Sequence, residues 1–306
     1  MPFKHSALAV LVMIIWGANF VVIDEGLDDV PPLLFLSFRF VLVALPLVFF
    51  IPRPTAGWRA VVAVGTFMSL GQFGLLYIAL DLGMPAGLAS LILQAHVIMT
   101  IVIAAIALKE SPTRRQVVGA SIGTVGLLVV VVAHGATAPV IPVLVMLGAA
   151  LSWATGNVVA RSAGVASGLS LVVWSALVVP LPALLLSLVV DGPAEVGSAV
   201  THLSGVAIAS TAYTAIGASL IGYGIWNSLL ARHPASAVVP FVLLVPVIGI
   251  MTAWLVQDEV PTTLELVGGA VMLLGVATAT ITRSARPTKE GPPEPSAPVE
   301  LASPAR

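Results

Sequence analysis

Long apolar runs alternate with short polar stretches along almost the whole chain. A helix needs about 20 apolar residues to cross the hydrocarbon core of a bilayer, and ten runs approach that length. They predict helices at 6–23, 32–51, 59–80, 86–108, 114–133, 139–160, 170–190, 204–230, 235–256 and 264–282. We therefore predict an all-α membrane protein with ten transmembrane helices, called spans 1 to 10 below.

The stretches between the runs are rich in proline and glycine, as in DVPP, IPRPTAG, DLGMP, GATAP and DGPAEVG. Such residues mark the ends of helices. The first run could also be a signal peptide, but it ends in IDEGLDDV rather than in a small-residue cleavage site. From residue 284 the chain is rich in proline and charge. Because this composition offers little apolar surface to bury, we expect 284–306 to be a disordered tail.

One stretch of the chain is repeated. LKESPTRRQVVG at 108–119 returns as QDEVPTTLELVG at 257–268, an offset of 149 residues, and Lys109 becomes Asp258. WGANFVV at 16–22 returns loosely as WATGNVV at 153–159. A unit of five helices is odd, so its second copy enters the membrane upside down. The sequence predicts two inverted five-helix repeats, at 1–137 and 138–283, an architecture of secondary transporters.

Charge supports this arrangement. The chain is 58% hydrophobic and 9% charged, against about 25% charged residues in a soluble domain. With ten spans, every lysine and arginine except Arg39 falls on one side, and the opposite loops carry only acids. The positive-inside rule places the basic side, with both termini, in the cytoplasm.

Composition also excludes several classes of partner and site. A net charge of −1 gives no argument for nucleic acid. Without cysteine, the chain has no disulfide, zinc-thiolate site or cysteine nucleophile. We find no HExxH, GxSxG or P-loop motif. We therefore expect no cofactor, no bound metal, no enzymatic activity and no ATP hydrolysis within this chain, so that energy comes from the substrate's own gradient or from protons.

The chain resembles the EamA family of the drug/metabolite transporter (DMT) superfamily, over essentially residues 1–283. The matching stretches are WGANFVVI (16–23), PPLLFLSFRFVLVALP (31–46), GMPAGLASLILQAHV (83–97), SWATGNVVAR (152–161), IGYGIWNSLLAR (221–232) and LLVPVIG (243–249). Within the family it is similar to bacterial inner-membrane exporters of cysteine and O-acetylserine. The resemblance implies alternating-access export of a small amino-acid-type metabolite. One departure is His96, where the family pattern has glutamine.

Other functions stay open from the sequence. The same family architecture could export another metabolite or an amphiphilic drug. No acidic residue lies deep inside a span, which weakens a dedicated cation site. A membrane-embedded enzyme or a structural protein is a further alternative, but no catalytic pair is apparent. The sequence leaves the oligomeric state undetermined.

Two amide–indole pairs are the leading candidates for substrate contact. Asn19 follows Trp16 by three residues, and Asn157 follows Trp153 by four, so each pair shares a helix face. In one interpretation the amides bind a zwitterionic substrate and the indoles form an amphipathic wall. In the other, each asparagine joins neighbouring helices, a common use of polar residues in membranes.

Span 4 carries two further candidates. Gln94 shares a face with Ser90 and is a candidate substrate ligand. His96 lies about 200° round a regular helix from Gln94, so we expect that both cannot face one cavity. His96 could relay protons or serve as a neutral hydrogen-bond partner.

Arg39 is the one basic residue inside a span. It could extend outward towards Asp28 and Asp29, or it could bind a substrate carboxylate. The remaining candidates are aromatic or amide side chains that could equally be packing residues or part of an interfacial belt. Tyr223 and Trp226 are predicted substrate contacts, and second-tier cavity residues are Gln72, Tyr77 and Asn227.

Overall fold

Ten apolar helical segments make up the computed structural model, which describes residues 1–55, 57–135, 140–162 and 169–280. In these residues nine helices are long and apolar enough to cross a membrane: Phe3–Leu27, Trp58–Asp81, Ala86–Ala107, Arg114–Ala133, Val140–Ser162, Ser170–Val190, Gly205–Arg232, Val239–Gln257 and Thr263–Thr280. The remaining segment, span 2, is the 17-residue helix Pro32–Val48. The all-α membrane fold is confirmed, although span 2 is shorter than the predicted 32–51.

The outer surface of the helices is apolar. Large side chains such as Leu144, Leu181, Val189 and Leu255 are more than half exposed, while the centre holds a continuous core of buried side chains. In water so much exposed apolar surface would be unfavourable. Lipid tails are the solvent that fits this surface, and helices satisfy the backbone hydrogen bonds that lipid cannot.

Of two predictions about the segments outside the spans, one is wrong and the other falls on residues that the structure does not describe. The stretch 191–202, predicted as a loop, contains the helix Pro193–Thr201, which begins with proline at its first position and Glu195 in its first turn. Both residues favour a helix start. The tail predicted at 284–306 lies outside the described residues.

The repeat is visible in the backbone at the same offset of 149 residues. Among the described residues, the non-glycine residues with positive φ are Lys109 and Asp258, at 55° and 56°. Each precedes a capping box, a reciprocal pair of hydrogen bonds that satisfies the free amides at a helix start. Thr113 pairs in this way with Gln116, and Thr262 pairs with Glu265. The same pair of features therefore links span 4 to span 5 in the first repeat and span 9 to span 10 in the second.

Spans 5 and 10 are repeat-related and pack directly against each other. A Cβ added at Gly119 would meet Gly275 and Ala279, whereas one added at Gly126 would meet Gly268 and Met272. The N-terminal part of one helix thus lies beside the C-terminal part of the other. Because repeat-related helices run antiparallel, the two halves have inverted orientations. Glycines at these contacts let the two backbones approach closely.

Irregular helical turns also recur in both halves. Spans 3 and 8 contain π-helical segments at Gly65–Gly71 and Tyr213–Gly222, which overlap at an offset of 149. Span 4 is interrupted after Ile92 and resumes at Ala95, and in span 9 a 3₁₀ segment at Val239–Leu243 follows the short helix Ala235–Val238. Irregular backbone at membrane depth occurs where it is buried in protein or lines a cavity.

Candidate functional site

A cavity of about 400 Å³ lies between the two repeats, within the size range of small-molecule sites. A second cavity, of about 470 Å³, adjoins it. The two share six lining residues from spans 2, 3, 6 and 8: Arg39, Gln72, Phe73, Trp153, Asn157 and Tyr223. The first cavity also contains Trp16, Asn19, Gln94, His96 and Trp226. Most of the candidates predicted from sequence therefore face one connected space.

The two amide–indole pairs, on spans 1 and 6, both line the first cavity. Asn19 is 7% exposed, and its amide oxygen has no hydrogen-bond partner among the described residues. An unpaired buried acceptor costs about 1–3 kcal/mol. Asn157 is half-buried and lines both cavities. The Asn19 amide oxygen is thus a buried acceptor that no described residue satisfies.

The π-helical segments fix the indole walls. Widened turns leave backbone carbonyls free to accept other donors. In span 8, the carbonyl of Ala218 accepts the Trp16 indole N–H at 2.9 Å. In span 3, the carbonyl of Phe67 accepts the hydroxyl of Ser152, next to Trp153, at 2.8 Å. Each π-helical segment thus binds the first helix of the other repeat and sets the position of its tryptophan.

Gln94 and His96 both line the first cavity, so the expectation that they could not is wrong. That expectation assumed a continuous helix. The backbone instead forms i→i+3 bonds, from the Gln94 amide to Leu91 and from the His96 amide to Leu93. These tighter turns change the angle between successive side chains.

The histidine side chain also contacts the break in span 4. Because a carbonyl can only accept, His96 Nδ1 must carry the proton in its 2.8 Å bond to the Leu93 oxygen. The imidazole stacks on the Trp153 ring, with centroids 4.1 Å apart and planes 7° apart. His96 thereby joins the break in span 4 to the indole wall of span 6.

Arg39 does not extend towards Asp28 and Asp29, because its side chain is 2% exposed and turned into the protein. Nε and Nη2 donate to Ser219 Oγ at 3.2 and 3.0 Å, and Nη1 donates to the Tyr77 hydroxyl at 3.0 Å. The guanidinium carbon lies 4.0 Å from the centre of the Phe73 ring, a cation–π contact. Buried partners from both repeats hold the guanidinium at the wall shared by the two cavities.

Two of these partners were missed by sequence reasoning. Phe73 follows Gln72 directly, and that proximity was the available signal. Ser219 gave none, because it reaches Arg39 through the π-helical segment, where its hydroxyl donates to the Thr214 carbonyl five residues earlier at 2.8 Å. Among the second-tier candidates Gln72 lines the cavities, whereas Tyr77 and Asn227 are not in their lining.

The acidic end of the bundle is held by hydrogen bonds that join spans 1, 4 and 9. Gln257 Nε2 donates to Asp24 and Glu25 at 2.8 and 2.9 Å. The Glu259 carboxylate accepts the backbone amides of Ala86 and Gly87 at 2.9 and 3.1 Å. We call this last contact the Glu259 latch.

The basic end differs. Glu110, the repeat mate of Glu259, forms an exposed ion pair with Arg161 at 3.0 Å. The second cavity extends along spans 3, 6 and 7 to Val64, Arg161 and Leu171 at this end. Equivalent glutamates therefore make different contacts at the two ends of the bundle.

Comparison with known proteins agrees with the fold. The chain is 39% identical over 279 residues to a probable amino-acid metabolite efflux pump of Salmonella typhimurium, covering 89% of this chain and 93% of the relative. It is 38% identical, over the same shares, to the Escherichia coli protein of that name. A probable terminal-alkyne amino-acid exporter of Streptantibioticus cattleyicolor is 29% identical, covering 87% of this chain and 90% of the relative.

A solved crystal structure superposes with a TM-score of 0.61 at 19% identity, covering 90% of this chain and 96% of the other, which supports the fold alone. The model of the EamA-like transporter family matches twice, at residues 4–132 and 140–281. These two matches span most of the chain, one in each repeat. The chain is therefore a member of the EamA-like transporter family.

Proposed function

We propose that this protein is a secondary transporter that exports a small amino-acid-type metabolite, such as cysteine or O-acetylserine, from the cytoplasm across the bacterial inner membrane. The observation that carries the proposal is the cavity between the repeats, lined by one amide–indole pair from each repeat. Amides match the polar groups of an amino acid, and indoles provide an amphipathic wall. The related efflux pumps are named for amino-acid metabolites, which favours the same substrate class here.

Alternating access is the proposed mechanism, and the unequal ends of the bundle support it. The acidic end is held by the Glu259 latch, while at the basic end Glu110 pairs with the exposed Arg161. By the symmetry of the repeats, Glu110 would bind the start of span 9 near Ala235 when the basic end closes. Exchange between the two arrangements would expose the cavity to each side in turn.

Orientation follows from charge. We place the basic end and both termini in the cytoplasm, so that the conformation described above faces inward. Residues 1–137 and 138–283 form the two repeats in this proposal, with the segment after 283 as a cytoplasmic tail.

Coupling to protons is a separate question, and His96 is the candidate group. Its Nδ1 is engaged by Leu93 and its ring by Trp153, which are the contacts of a positioning residue. We therefore expect His96→Gln to keep any dependence on the pH gradient, although transport slows as the stacking contact is lost. A variant that transports but no longer responds to the gradient would identify His96 as the coupling group.

Efflux from proteoliposomes tests the proposed function. Purified protein would be reconstituted, loaded with labelled cysteine, O-acetylserine, other amino acids or an amphiphilic drug, and followed with and without a pH gradient. We expect the amino acids to leave the vesicles faster than from protein-free vesicles. Efflux of the drug alone would replace the proposed substrate class, and no efflux of any solute would contradict a transport function.

A further inference from the structure

Arg39 is a buried cation whose hydrogen-bond partners are all uncharged. It contacts Ser219, Tyr77 and the Phe73 ring. In the described part of the chain every carboxylate lies in a loop or near a helix end, and none pairs with this guanidinium. A buried charge without a counter-charge is costly, especially at membrane depth. The cavity therefore lacks one negative charge.

The guanidinium still has donors to offer. It carries five N–H groups, and the hydrogen bonds to Ser219 and Tyr77 use three of them. The fork is held in place by these bonds and by Phe73, so a ligand would meet a positioned group rather than a mobile side chain. Since Arg39 lines both cavities, an anion in either cavity could approach it.

Two side chains that line the first cavity each carry a buried polar atom with no hydrogen-bond partner among the described residues. The Asn19 amide oxygen is an acceptor and the Gln94 amide nitrogen is a donor, and both side chains are less than 10% exposed. Two donor groups, Arg39 and Gln94, suit a carboxylate, whereas the acceptor Asn19 suits an ammonium group. The unpaired groups of the wall thus match the two ends of a zwitterion.

We propose that this cavity binds α-amino acids by their carboxylate at Arg39 and Gln94 and by their ammonium group at Asn19. The inference rests on the proposed function and adds its specificity: a free carboxylate is required, and the corresponding amides and amines are rejected. Ser219 and Tyr77 act as positioning residues that hold the guanidinium. Among the described residues Arg39 is the buried arginine, and it belongs to the first repeat, so the substrate binds in one orientation.

Binding of an acid compared with its carboxamide tests the proposal, because the two ligands are nearly equal in size and differ in charge. Purified protein would be titrated with an amino acid and with its carboxamide, using intrinsic tryptophan fluorescence, to which Trp16, Trp153 and Trp226 in the cavity lining contribute. We expect the acid to bind about 10- to 100-fold more tightly than the amide, as for the loss of a hydrogen bond to a charged group.

Variants give the decisive comparison. Arg39→Gln should bring the ratio of the two affinities close to one, and Arg39→Lys should keep an intermediate ratio because it retains charge but loses the fork. Arg59→Gln, at an exposed arginine outside both cavities, is the matched control and should keep the full ratio. The ratio does not depend on how much protein is folded. If Arg39→Gln yields no folded protein, Arg39→Lys decides.

The outcomes separate this inference from the proposed function. An unchanged ratio in the folded Arg39 variants, or no amino-acid binding by the unaltered protein, would overturn the carboxylate site. Arg39-dependent binding without efflux from proteoliposomes would leave the site in place and refute the transport proposal. Efflux of amino acids from proteoliposomes, together with equal affinity for acid and amide, would support the transport proposal and refute the carboxylate site.

Discussion

At the scale of single residues, Asn19 and Asn157 both line the cavity, where a substrate contact would have to lie. Since the Asn19 amide oxygen has no protein partner, replacing it by alanine should remove a ligand contact and little else. We expect Asn19→Ala and Asn157→Ala to lose about 1–3 kcal/mol of substrate binding, or roughly 5- to 150-fold in affinity, with nearly unchanged melting temperature.

Transport KM and melting temperature, measured together, check this prediction. Thr155→Ala is the matched control, because Thr155 lies on span 6 between Trp153 and Asn157, lines neither cavity and, among the described residues, bonds the Leu151 carbonyl. Early melting of both asparagine variants with unchanged KM would show that these side chains join helices instead of binding substrate.

The residue scale is also where sequence reasoning stopped short. The tryptophan and asparagine positions could be predicted because the repeat duplicates them. The burial of Arg39 could not, because Ser219 lies 180 residues away and reaches it from the other repeat. The shared orientation of Gln94 and His96 was missed because no glycine or proline marks the break between Ile92 and Ala95.

At the scale of helices, the length of each apolar run predicted the position of each span, because a helix surrounded by lipid needs apolar side chains along its length. Predicted and observed bounds agree closely for most spans. The π-helical segments in spans 3 and 8 were not predicted. The carbonyls of these π-helical segments accept hydrogen bonds from packed neighbours, here Ser152 and Trp16. Hydrophobic periodicity does not reveal such contacts between distant parts of the chain.

Close packing of spans 5 and 10 gives a prediction about stability. A methyl group at Gly275 would clash with the backbone nitrogen of Gly123, so Gly275→Ala must force the helices apart. We expect a loss of about 1–3 kcal/mol, typical of overpacking, seen as a lower melting temperature. Gly224→Ala, where a methyl group would meet nothing within 4 Å, should be neutral or slightly stabilising. Equal melting of the two variants would contradict the close approach.

The Glu259 latch gives a prediction about conformation. Glu259→Ala removes two hydrogen bonds to a charged acceptor, each worth about 1.5–3 kcal/mol, from the closed acidic end. We expect it to shift the population towards the outward-facing state by tenfold or more. An impermeant thiol reagent added outside should then label cysteine at Ile23, a cavity residue near that end, faster than in the parent carrying the same cysteine.

Its repeat mate supplies the control. Glu110→Ala would weaken the proposed closure of the basic end, so external labelling of the same cysteine should fall or stay level. If both substitutions change labelling in the same direction, the two glutamates do not exchange roles.

At the scale of the whole molecule, the segregation of charge predicts the orientation in the membrane. Asp28 lies exposed at the acidic end and Thr55 lies exposed at the basic end. In this cysteine-free chain, Asp28→Cys should react with an impermeant reagent from outside the cell, and Thr55→Cys should react only after the membrane is opened. Labelling in the opposite pattern would show that the acidic end is cytoplasmic, and would refute the assignment of the described conformation as inward-facing.

The antiparallel contact between spans 5 and 10 has an evolutionary consequence. Gly119 meets the region of Gly275, and Gly126 meets Gly268, so equivalent surfaces of the two copies bind each other reciprocally. Self-complementary contact of this kind is the mark of a two-fold homodimer. A five-helix ancestor able to insert in both orientations could have assembled through this face before gene duplication joined the copies. The opposite charges at Lys109 and Asp258 are those that the positive-inside rule favours when each copy keeps one fixed orientation.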